Sequence, residues 1–437
     1  MEWFEALALL LGMVLTLMML GMPVALAFLG ANLVGAYIFM GGERGIGQLI
    51  NNGFGAMTNF ALVPIPLFLL MGELFFHTGL ATRVFNGVDR LLGKLPARLS
   101  YVTIGGGTAF ATLSGSSMGS TALLGSLMLP EMLKRGYSKV MAIGPILGTG
   151  GLAIIIPPSA LAVLLATFAR IDVGSLLLAG VIPGIILAGF YAALIYTLAR
   201  INPGSAPAYE VVPMPWGQRI KLFISELMPM VAVVVLVITI MVTGWATPTE
   251  AAAFGCFGVV VLAAIYRCLT IKAFVTACRG ALKVTLMSFL IIFGSATFSQ
   301  LLAFSGASSG FIRWATSLEA GPYTMLLIMF MILLLLGMFM DQLSMLLLTV
   351  PIFFPLAAQL GFDPIWFGLI VLLALEISFT TPPFGLLLFV MKGVAPPGTT
   401  MREIYIAGFP FIACILLLVL LLVAFPGIAL FLPNLSH

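Results

Sequence analysis

The sequence has little charge, few cysteines and almost no histidine. Asp, Glu, Lys and Arg make up 8% of its 437 residues, whereas apolar residues make up 62%. Soluble domains average roughly 25% charged and 45 to 50% apolar residues, so this chain cannot cover a water-exposed surface. The composition excludes a soluble globular protein and predicts a polytopic membrane protein.

Groups that carry out enzyme chemistry are also scarce. With two histidines and four cysteines, the chain lacks HExxH, GxSxG and Walker lysine motifs and metal-spaced cysteines. Its net charge of +4 comes from basic residues scattered over loops, which membrane topology explains better than nucleic-acid binding. The sequence therefore favours neither an enzyme nor a nucleic-acid-binding protein.

Ten apolar segments are long enough to cross a bilayer, which takes roughly 20 helical residues. They are 4–21, 23–40, 58–78, 140–168, 173–199, 222–243, 248–266, 284–304, 365–391 and 404–425. Two further stretches, 99–133 and 323–359, are interrupted by polar residues, and each half of about 15 residues is too short to cross. We predict re-entrant hairpins there, because bent backbone at membrane depth must be satisfied by protein or a water-filled cavity.

A pattern of prolines and glycines recurs after 225 residues, so that Pro23 matches Pro248 and Pro157-Pro158 matches Pro382-Pro383. Each copy has five spans and one hairpin, an odd number of crossings, so the second copy must be inverted. The predicted fold is an all-α polytopic membrane protein with two inverted repeats, 1–201 and 219–437, joined by a cytoplasmic linker at 202–218.

The basic residues orient this topology. Sixteen of the 19 Lys and Arg residues fall on one face, which is then cytoplasmic, and the exceptions are Arg44, Arg170 and Arg313. Both termini are predicted to face away from the cytoplasm, with the two hairpin tips meeting near the midplane. The loops 80–98 and 267–283 are either amphipathic helices at the interface or simple solvated loops.

Adjacent prolines break the spans 140–168 and 365–391. They remove two N–H donors and free carbonyls one turn earlier, and such carbonyls with Ser or Thr hydroxyls form an oxygen shell for a cation. The trios that match in the repeat are Ala153, Ile156, Ser159 and Ser378, Thr381, Phe384. We interpret the breaks as ion sites, with a proline kink and back-bonded hydroxyls as the alternative. These residues do not separate sodium from protons.

Two acidic residues lie in apolar surroundings near the second break. Asp341, at the predicted hairpin tip, faces an ion or a water path, caps the next helix, or does both. Glu376 lies one turn before Thr380. It adjusts the second ion site, carries a proton or forms a structural salt bridge.

Several motifs resemble the large membrane subunit of tripartite ATP-independent periplasmic (TRAP) transporters, and the resemblance covers nearly the whole chain. They are Gly21-Met22-Pro23-Val24-Ala25, Ser114-Gly115-Ser116-Ser117-Met118-Gly119-Ser120, Ile155-Ile156-Pro157-Pro158-Ser159, Gly337-Met338-Phe339-Met340-Asp341, Phe362-Asp363-Pro364 and Thr381-Pro382-Pro383-Phe384-Gly385. The resemblance implies a sodium-driven elevator transporter of the bacterial inner membrane. It also implies two partners, a periplasmic solute-binding protein and a separate small four-helix membrane subunit.

The resemblance further implies two sodium sites in a mobile domain formed by the hairpins and broken helices. The expected sodium ligands are Ser114, Ser116, Ser117, Ala153, Ile156 and Ser159 in the first site, and Gly337, Asp341, Ser378, Thr381 and Phe384 in the second. The expected substrate contacts are Ser117, Gln342 and Thr380. Gln342 replaces a proline of the family pattern, and Glu376-Ile377-Ser378 replaces a more apolar run, so the second site departs from that pattern.

The leading hypothesis is sodium-coupled import of a small organic anion, a carboxylate or a sulfonate. One alternative is a stand-alone carrier that is proton-coupled or antiporting and uses Asp341 and Glu376. Another is an intramembrane enzyme with Glu73 or His77 among its acid-base groups. Substrate identity is not readable from this chain, because selectivity in such systems resides largely in the binding protein.

Overall fold

The structure is a computed structural model that describes residues 1–92, 95–207, 215–317, 320–337, 340–382 and 385–435. Within these residues the regular structure is helical, which confirms the all-α prediction. The first half contains α1 Trp3–Met19, α2 Val24–Phe39, α3 Glu43–Met57, α4 Pro64–His77, α5 Leu80–Leu92, α6 Arg98–Ser114, α7 Ser117–Lys134, α8 Lys139–Ile155, α9 Ala160–Ala169, α10 Val173–Ala179 and α11 Val181–Ile201. The second half contains α12 Trp216–Leu222, α13 Met228–Val242, α14 Pro248–Ile265, α15 Ile271–Phe304, α16 Ala307–Ser317, α17 Pro322–Gly337, α18 Gln342–Gln359, α19 Pro364–Thr380, α20 Leu386–Val394, α21 Met401–Ala424 and α22 Gly427–Leu435.

Many of these helices match the thickness of a membrane. Seven stretches of the described chain are long and apolar enough to cross one, and the bent pair α8 and α9 makes eight. Helices α1 and α2, which were predicted to span, are apolar but only 17 and 16 residues long. Helix α19, the first part of the predicted broken span 365–391, has 17 residues, while the predicted hairpin arm α18 is among the seven. The chain is a polytopic membrane protein, but helix length alone does not separate spans from hairpin arms.

The helix boundaries repeat with the sequence pattern. Helices α7 and α18 are both 18 residues long and begin at Ser117 and Gln342, 225 positions apart. Helices α8 and α19 are both 17 residues long and begin at Lys139 and Pro364, with the same offset. The packing repeats too, because α2 lies on α15 as α4 lies on α14, and α7 lies on α20 as α18 lies on α9. The inverted orientation of the halves and the boundaries 1–201 and 219–437 stay predictions.

Two groups of packed helices position the site. Helices α4 and α15, one from each half, pack on each other, and α2, α3 and α14 pack around them. Helices α6 and α7 pack against α8, while α17 and α18 pack against α19, and α8 also contacts α19. The breaks between these helices therefore lie in a helical core that faces the α4–α15 pair.

Most of the segment 267–283 is helical. Helix α15 begins at Ile271, where Thr270 caps it by accepting the Ala273 N–H at 3.1 Å, and it runs unbroken for 34 residues. The segment contains no proline that would end the helix. The solvated-loop alternative was therefore wrong from Ile271 onward, and most of 80–98 is likewise helical, as α5. The place of both helices at the membrane interface stays a prediction.

Helix α3 was not predicted, although it packs against α2 and α15. The linker predicted at 202–218 contains a 3₁₀ turn at Pro203–Ser205, and α12 begins within it at Trp216. Its central part, 208–214, lies outside the described residues.

Candidate functional site

The first hairpin tip meets the first broken helix. The chain between α6 and α7 turns at Gly115 and Ser116, and a Cβ at Gly115 would lie 3.4 Å from the carbonyl oxygen of Pro158. Ser116 caps α7 by accepting the Gly119 N–H at 3.1 Å, and Ser159 caps α9 by accepting the Ala162 N–H at 3.2 Å. Both caps place a serine oxygen at the start of a helix, where N–H groups are otherwise unpaired.

Two buried hydroxyls on α7 follow this junction. The Oγ of Ser117 and the Oγ1 of Thr121 are buried and have no hydrogen-bond partner among the described residues. A Cβ at Gly150 would lie 2.3 Å from the Thr121 Oγ1 and 3.3 Å from the Ser117 carbonyl oxygen. Buried hydroxyls are nearly always hydrogen-bonded, so these two oxygen atoms are candidate ligands for a bound ion or water.

The proline pair leaves backbone oxygen atoms without helical donors. In a continuous helix the carbonyls of Ala153 and Ile154 would accept from the residues four positions later, which are Pro157 and Pro158. The predicted ligands Ala153 and Ile156 are buried at this break, so a cation is a suitable partner for the carbonyl oxygen atoms that the proline pair leaves without donors. The side chain of Ser114, also predicted as a ligand, lies outside the described part of the chain.

The second break is built on the same plan. Asp341 caps α18 by accepting the Ser344 N–H at 3.1 Å, and it also accepts the Ser344 hydroxyl. At the end of α17, a Cβ on Gly337 would lie 2.1 Å from the Ser378 Oγ, so only glycine permits this approach. The structure thus brings Gly337 and Ser378 together, and Asp341 performs the capping role proposed as its alternative.

The hydroxyls near the second break hydrogen-bond within their own helix. Ser378 donates to the Leu375 carbonyl at 2.8 Å, Thr380 to the Ile377 carbonyl at 3.0 Å, and Thr381 to that same carbonyl at 2.5 Å. This is the back-bonded arrangement of a proline kink. A hydroxyl that donates its proton keeps its lone pairs, so the arrangement also permits ion binding. Phe384 lies outside the described residues.

Glu376 lies where the two broken helices cross. It is fully buried, and its Oε2 accepts from the Gln342 amide at 3.4 Å. Its Oε1 has no hydrogen-bond partner among the described residues, and a Cβ on Gly151 would lie 2.3 Å from that atom. Residues 151 and 376 are 225 positions apart, so equivalent positions of the two copies touch and only one of them carries a side chain. The described residues include no ion pair with Glu376, which removes the predicted salt bridge.

Both hairpin tips line a central cavity of about 200 Å³ against α4 and α15. Ser116 and Ser117 contribute from the first tip and Asp341 and Gln342 from the second. Of the predicted substrate contacts, Ser117 and Gln342 line this cavity, whereas Thr380 does not. The opposite wall was missed by sequence reasoning and consists of Ile65 and Leu69 on α4 and Val284, Met287 and Ser288 on α15.

Two further cavities follow the same pair of helices. One of about 370 Å³ lies toward the end of α4 that carries Glu73, and it shares Leu69, Ser116 and Val284 with the central cavity. The other, of about 420 Å³, lies beside Leu62 and Ala303 at the opposite end. All three cavities have lining residues on α15, and the one at the hairpin tips lies between the other two.

Known proteins share this sequence and this architecture. A family model described as "Tripartite ATP-independent periplasmic transporter, DctM component" matches residues 11–428. The C4-dicarboxylate TRAP transporter large permease protein DctM of Pseudomonas aeruginosa is 31% identical over 385 residues, covering 87% of this chain and 88% of the relative. The isethionate TRAP transporter permease protein DctMQ of Oleidesulfovibrio alaskensis is 28% identical over 439 residues, covering 98% of this chain and 67% of the relative.

A solved structure has a similar fold. The Alcanivorax borkumensis YdaH transporter superposes with a TM-score of 0.65 at 14% identity, covering 88% of this chain and 89% of the other. At this identity the likeness concerns the helical fold alone.

Proposed function

The chain belongs to the DctM family of large permease components of tripartite ATP-independent periplasmic transporters, and from this membership we propose sodium-coupled import of a small organic anion. The proposal commits to a carboxylate or a sulfonate. Among its relatives, one is named for C4-dicarboxylates and another for isethionate, which supports an anionic substrate. The observation that carries the proposal is that both hairpin tips and the break between α8 and α9 meet at one central cavity.

Sodium is the coupling ion in this proposal, with one ion in each half. The first site uses Ser116, Ser117 and the carbonyls before Pro157, while the second uses Asp341 and the Gly337–Ser378 junction. Sodium is a hard cation that prefers oxygen ligands, and unpaired backbone oxygen at membrane depth favours such binding. The buried Ser117 oxygen, which has no hydrogen-bond partner among the described residues, supports the first site, and the Asp341 carboxylate supplies charge to the second.

An elevator motion is proposed to move the anion. The hairpins and broken helices would slide along α4 and α15, whose wall of the central cavity is largely apolar. The cavities on either side of the hairpin tips support two openings, one at each end of this pair of helices. Such sliding provides alternating access to a site held between two rigid groups of helices.

Two partners complete the proposed transporter. A periplasmic solute-binding protein delivers the anion, and a small four-helix membrane subunit supports the fixed helices. Both are proposed from the tripartite organisation of the family. The proposed location is the bacterial inner membrane, with both termini in the periplasm.

Reconstitution tests this function directly. The chain, its small subunit and the binding protein are placed in proteoliposomes, and uptake of radiolabelled succinate and isethionate is measured with and without an inward sodium gradient. We expect uptake only with the binding protein and the gradient. Uptake driven by a proton gradient alone, or uptake without the binding protein, would instead establish the stand-alone proton-coupled carrier.

A further inference from the structure

The cavity beside Leu62 and Ala303 is chemically different from the central one. It is lined by α3, the 3₁₀ turn Phe60–Leu62, the last turn of α9 and the last turns of α15. None of its lining residues lines the central cavity. The cavity beside Leu62 and Ala303 has a volume of about 420 Å³, which falls within the range of small-molecule sites. This cavity is therefore a separate candidate site.

One cation dominates the lining. The polar lining residues are Asn52, Asn59, Thr167, Arg170, Ser299 and Gln300. Arg170 is the only lining residue among them that carries a charge, and the described residues include no ion pair that it makes. Its guanidinium presents five N–H donors in a planar fork that matches a carboxylate or a sulfonate. A cavity with one uncompensated cation attracts anions.

Amide groups line the same cavity as this cation. Asn52 donates from Nδ2 to the Gln300 Oε1 at 2.7 Å and so ties α3 to α15. This bond uses the acceptor of Gln300 and leaves the N–H groups of its amide available. Asn59 accepts the Ala61 N–H at 3.0 Å, which likewise uses its oxygen and leaves its amino group as a donor. The amides of Gln300 and Asn59 therefore keep N–H donors for an oxyanion.

Helix α9 connects this cavity to the central one. Ala160, Leu161 and Leu164 on its first turns line the central cavity, and Thr167, Phe168 and Arg170 at its end line the outer one. In the proposed elevator motion α9 moves while α3 and α15 stay fixed. The outer cavity thus has one movable wall, which carries the cation, and one fixed wall, which carries the amides.

We propose that this cavity is a second anion site, in which Arg170 and the amides of Asn59 and Gln300 hold the carboxylate or sulfonate before it reaches the central cavity. The role as a waiting position rests on the proposed function. The binding site itself does not, because it follows from the geometry and charge of the lining residues.

Charge-selective cysteine labelling tests the site without a binding protein. Ala56→Cys, which lines the cavity, is made in a chain whose four native cysteines are replaced by alanine, and the assembled membrane complex is labelled with anionic and cationic methanethiosulfonate reagents. We expect the anionic reagent to be favoured, and Arg170→Gln to reduce this preference about five- to tenfold, as expected for removing one charge several ångströms away in water. Succinate or isethionate should slow labelling by the anionic reagent when Arg170 is present and should not slow it in the Arg170→Gln variant.

The matched control is Arg313→Gln, an exposed arginine on α16 that does not line the cavity. It should leave the preference unchanged. Glutamine suits position 170 because it meets the same backbone requirement as arginine at φ 57°. An unchanged preference in Arg170→Gln, or equal changes in both variants, would overturn the site. If labelling behaves as expected while the reconstituted complex shows no uptake, the proposed function fails and the anion site stands.

Discussion

The two pairs of helix breaks share one backbone plan but offer different atoms to an ion. Ser116 and Asp341 occupy equivalent positions, and each caps its helix by accepting the N–H of the residue three positions later. The cap is kept, yet the first copy supplies a neutral hydroxyl and the second a carboxylate. We infer that the two halves have the same backbone geometry at this cap but differ in its charge. Sodium binding at the second proposed site should therefore depend more strongly on the charge of its ligands.

The helix crossing shows a second difference between the halves. Gly151 and Glu376 are equivalent in the repeat and meet each other in the core. Space exists for one side chain there, so a symmetric pair of glutamates is sterically excluded. Packing therefore requires different residues at positions 151 and 376. No such steric requirement explains the difference between Ser116 and Asp341.

Asp341→Asn should have the largest effect, because it removes the charge that distinguishes the second proposed sodium site from the first. Asparagine caps a helix as well as aspartate does, but it brings no charge. We expect the sodium concentration for half-maximal uptake to rise on the order of 10- to 100-fold, because a contact with a charged group contributes about 1.5 to 3 kcal/mol. Sodium titration of uptake in proteoliposomes measures it.

The same substitution at another helix start is the control. Asp363 caps α19 by accepting the N–H groups of Ile365 and Trp366, each at 2.9 Å. Asp363→Asn should leave the sodium titration unchanged. If Asp341→Asn behaved in the same way, Asp341 would serve only as a cap, and the electrostatic difference between the halves would have no functional meaning.

Gly151→Ala should have the second-largest effect, which is a loss of thermal stability. The new methyl group would collide with Glu376, whose Oε1, Cδ and Cγ lie within 2.7 Å of the Cβ position. Overpacking of this kind costs about 1 to 3 kcal/mol, and the thermal unfolding midpoint in detergent should fall accordingly. A Cβ at Gly189 on α11 would meet no atom of the described residues within 4 Å, so Gly189→Ala should leave that midpoint nearly unchanged.

A double variant identifies the cause of this loss. Adding Glu376→Ala to Gly151→Ala removes the carboxylate that the methyl group meets, so the unfolding midpoint should recover relative to Gly151→Ala alone. No recovery would mean that the clash lies elsewhere, and the crossing would not be limited to one side chain.

The breaks were predictable from the sequence because their signals are local. Polar Gly and Ser residues near 115 and the prolines at 157 and 158 interrupt the helices where they stand, whatever lies around them. The 225-residue offset likewise anticipated the equal lengths of α7 and α18. These features need no knowledge of tertiary packing.

The rest of the candidate site depends on contacts between distant segments. The wall formed by Ile65 and Met287 and the approach of Gln342 to Glu376 arise only when α4 meets α15 and α18 meets α19. The pairing of Gly151 with Glu376 was visible in the repeat register, but their contact was not. Helix α3 was missed because its glycines and asparagines weaken the helical pattern.

Ser116→Ala should give the smallest effect and so sharpens the comparison. It removes a neutral oxygen, and a lost contact of this type costs about 1 kcal/mol, so the half-maximal sodium concentration should rise about fivefold in the uptake assay. Ser138→Ala is the matched control, because Ser138 caps α8 by accepting the Met141 N–H at 3.3 Å away from both breaks. Both variants should lose similar cap stability, while only Ser116→Ala should change the sodium titration. A change as large as that of Asp341→Asn would show that the carboxylate adds nothing to sodium binding beyond its oxygen atoms, and that the two halves are equivalent in charge as well as in backbone.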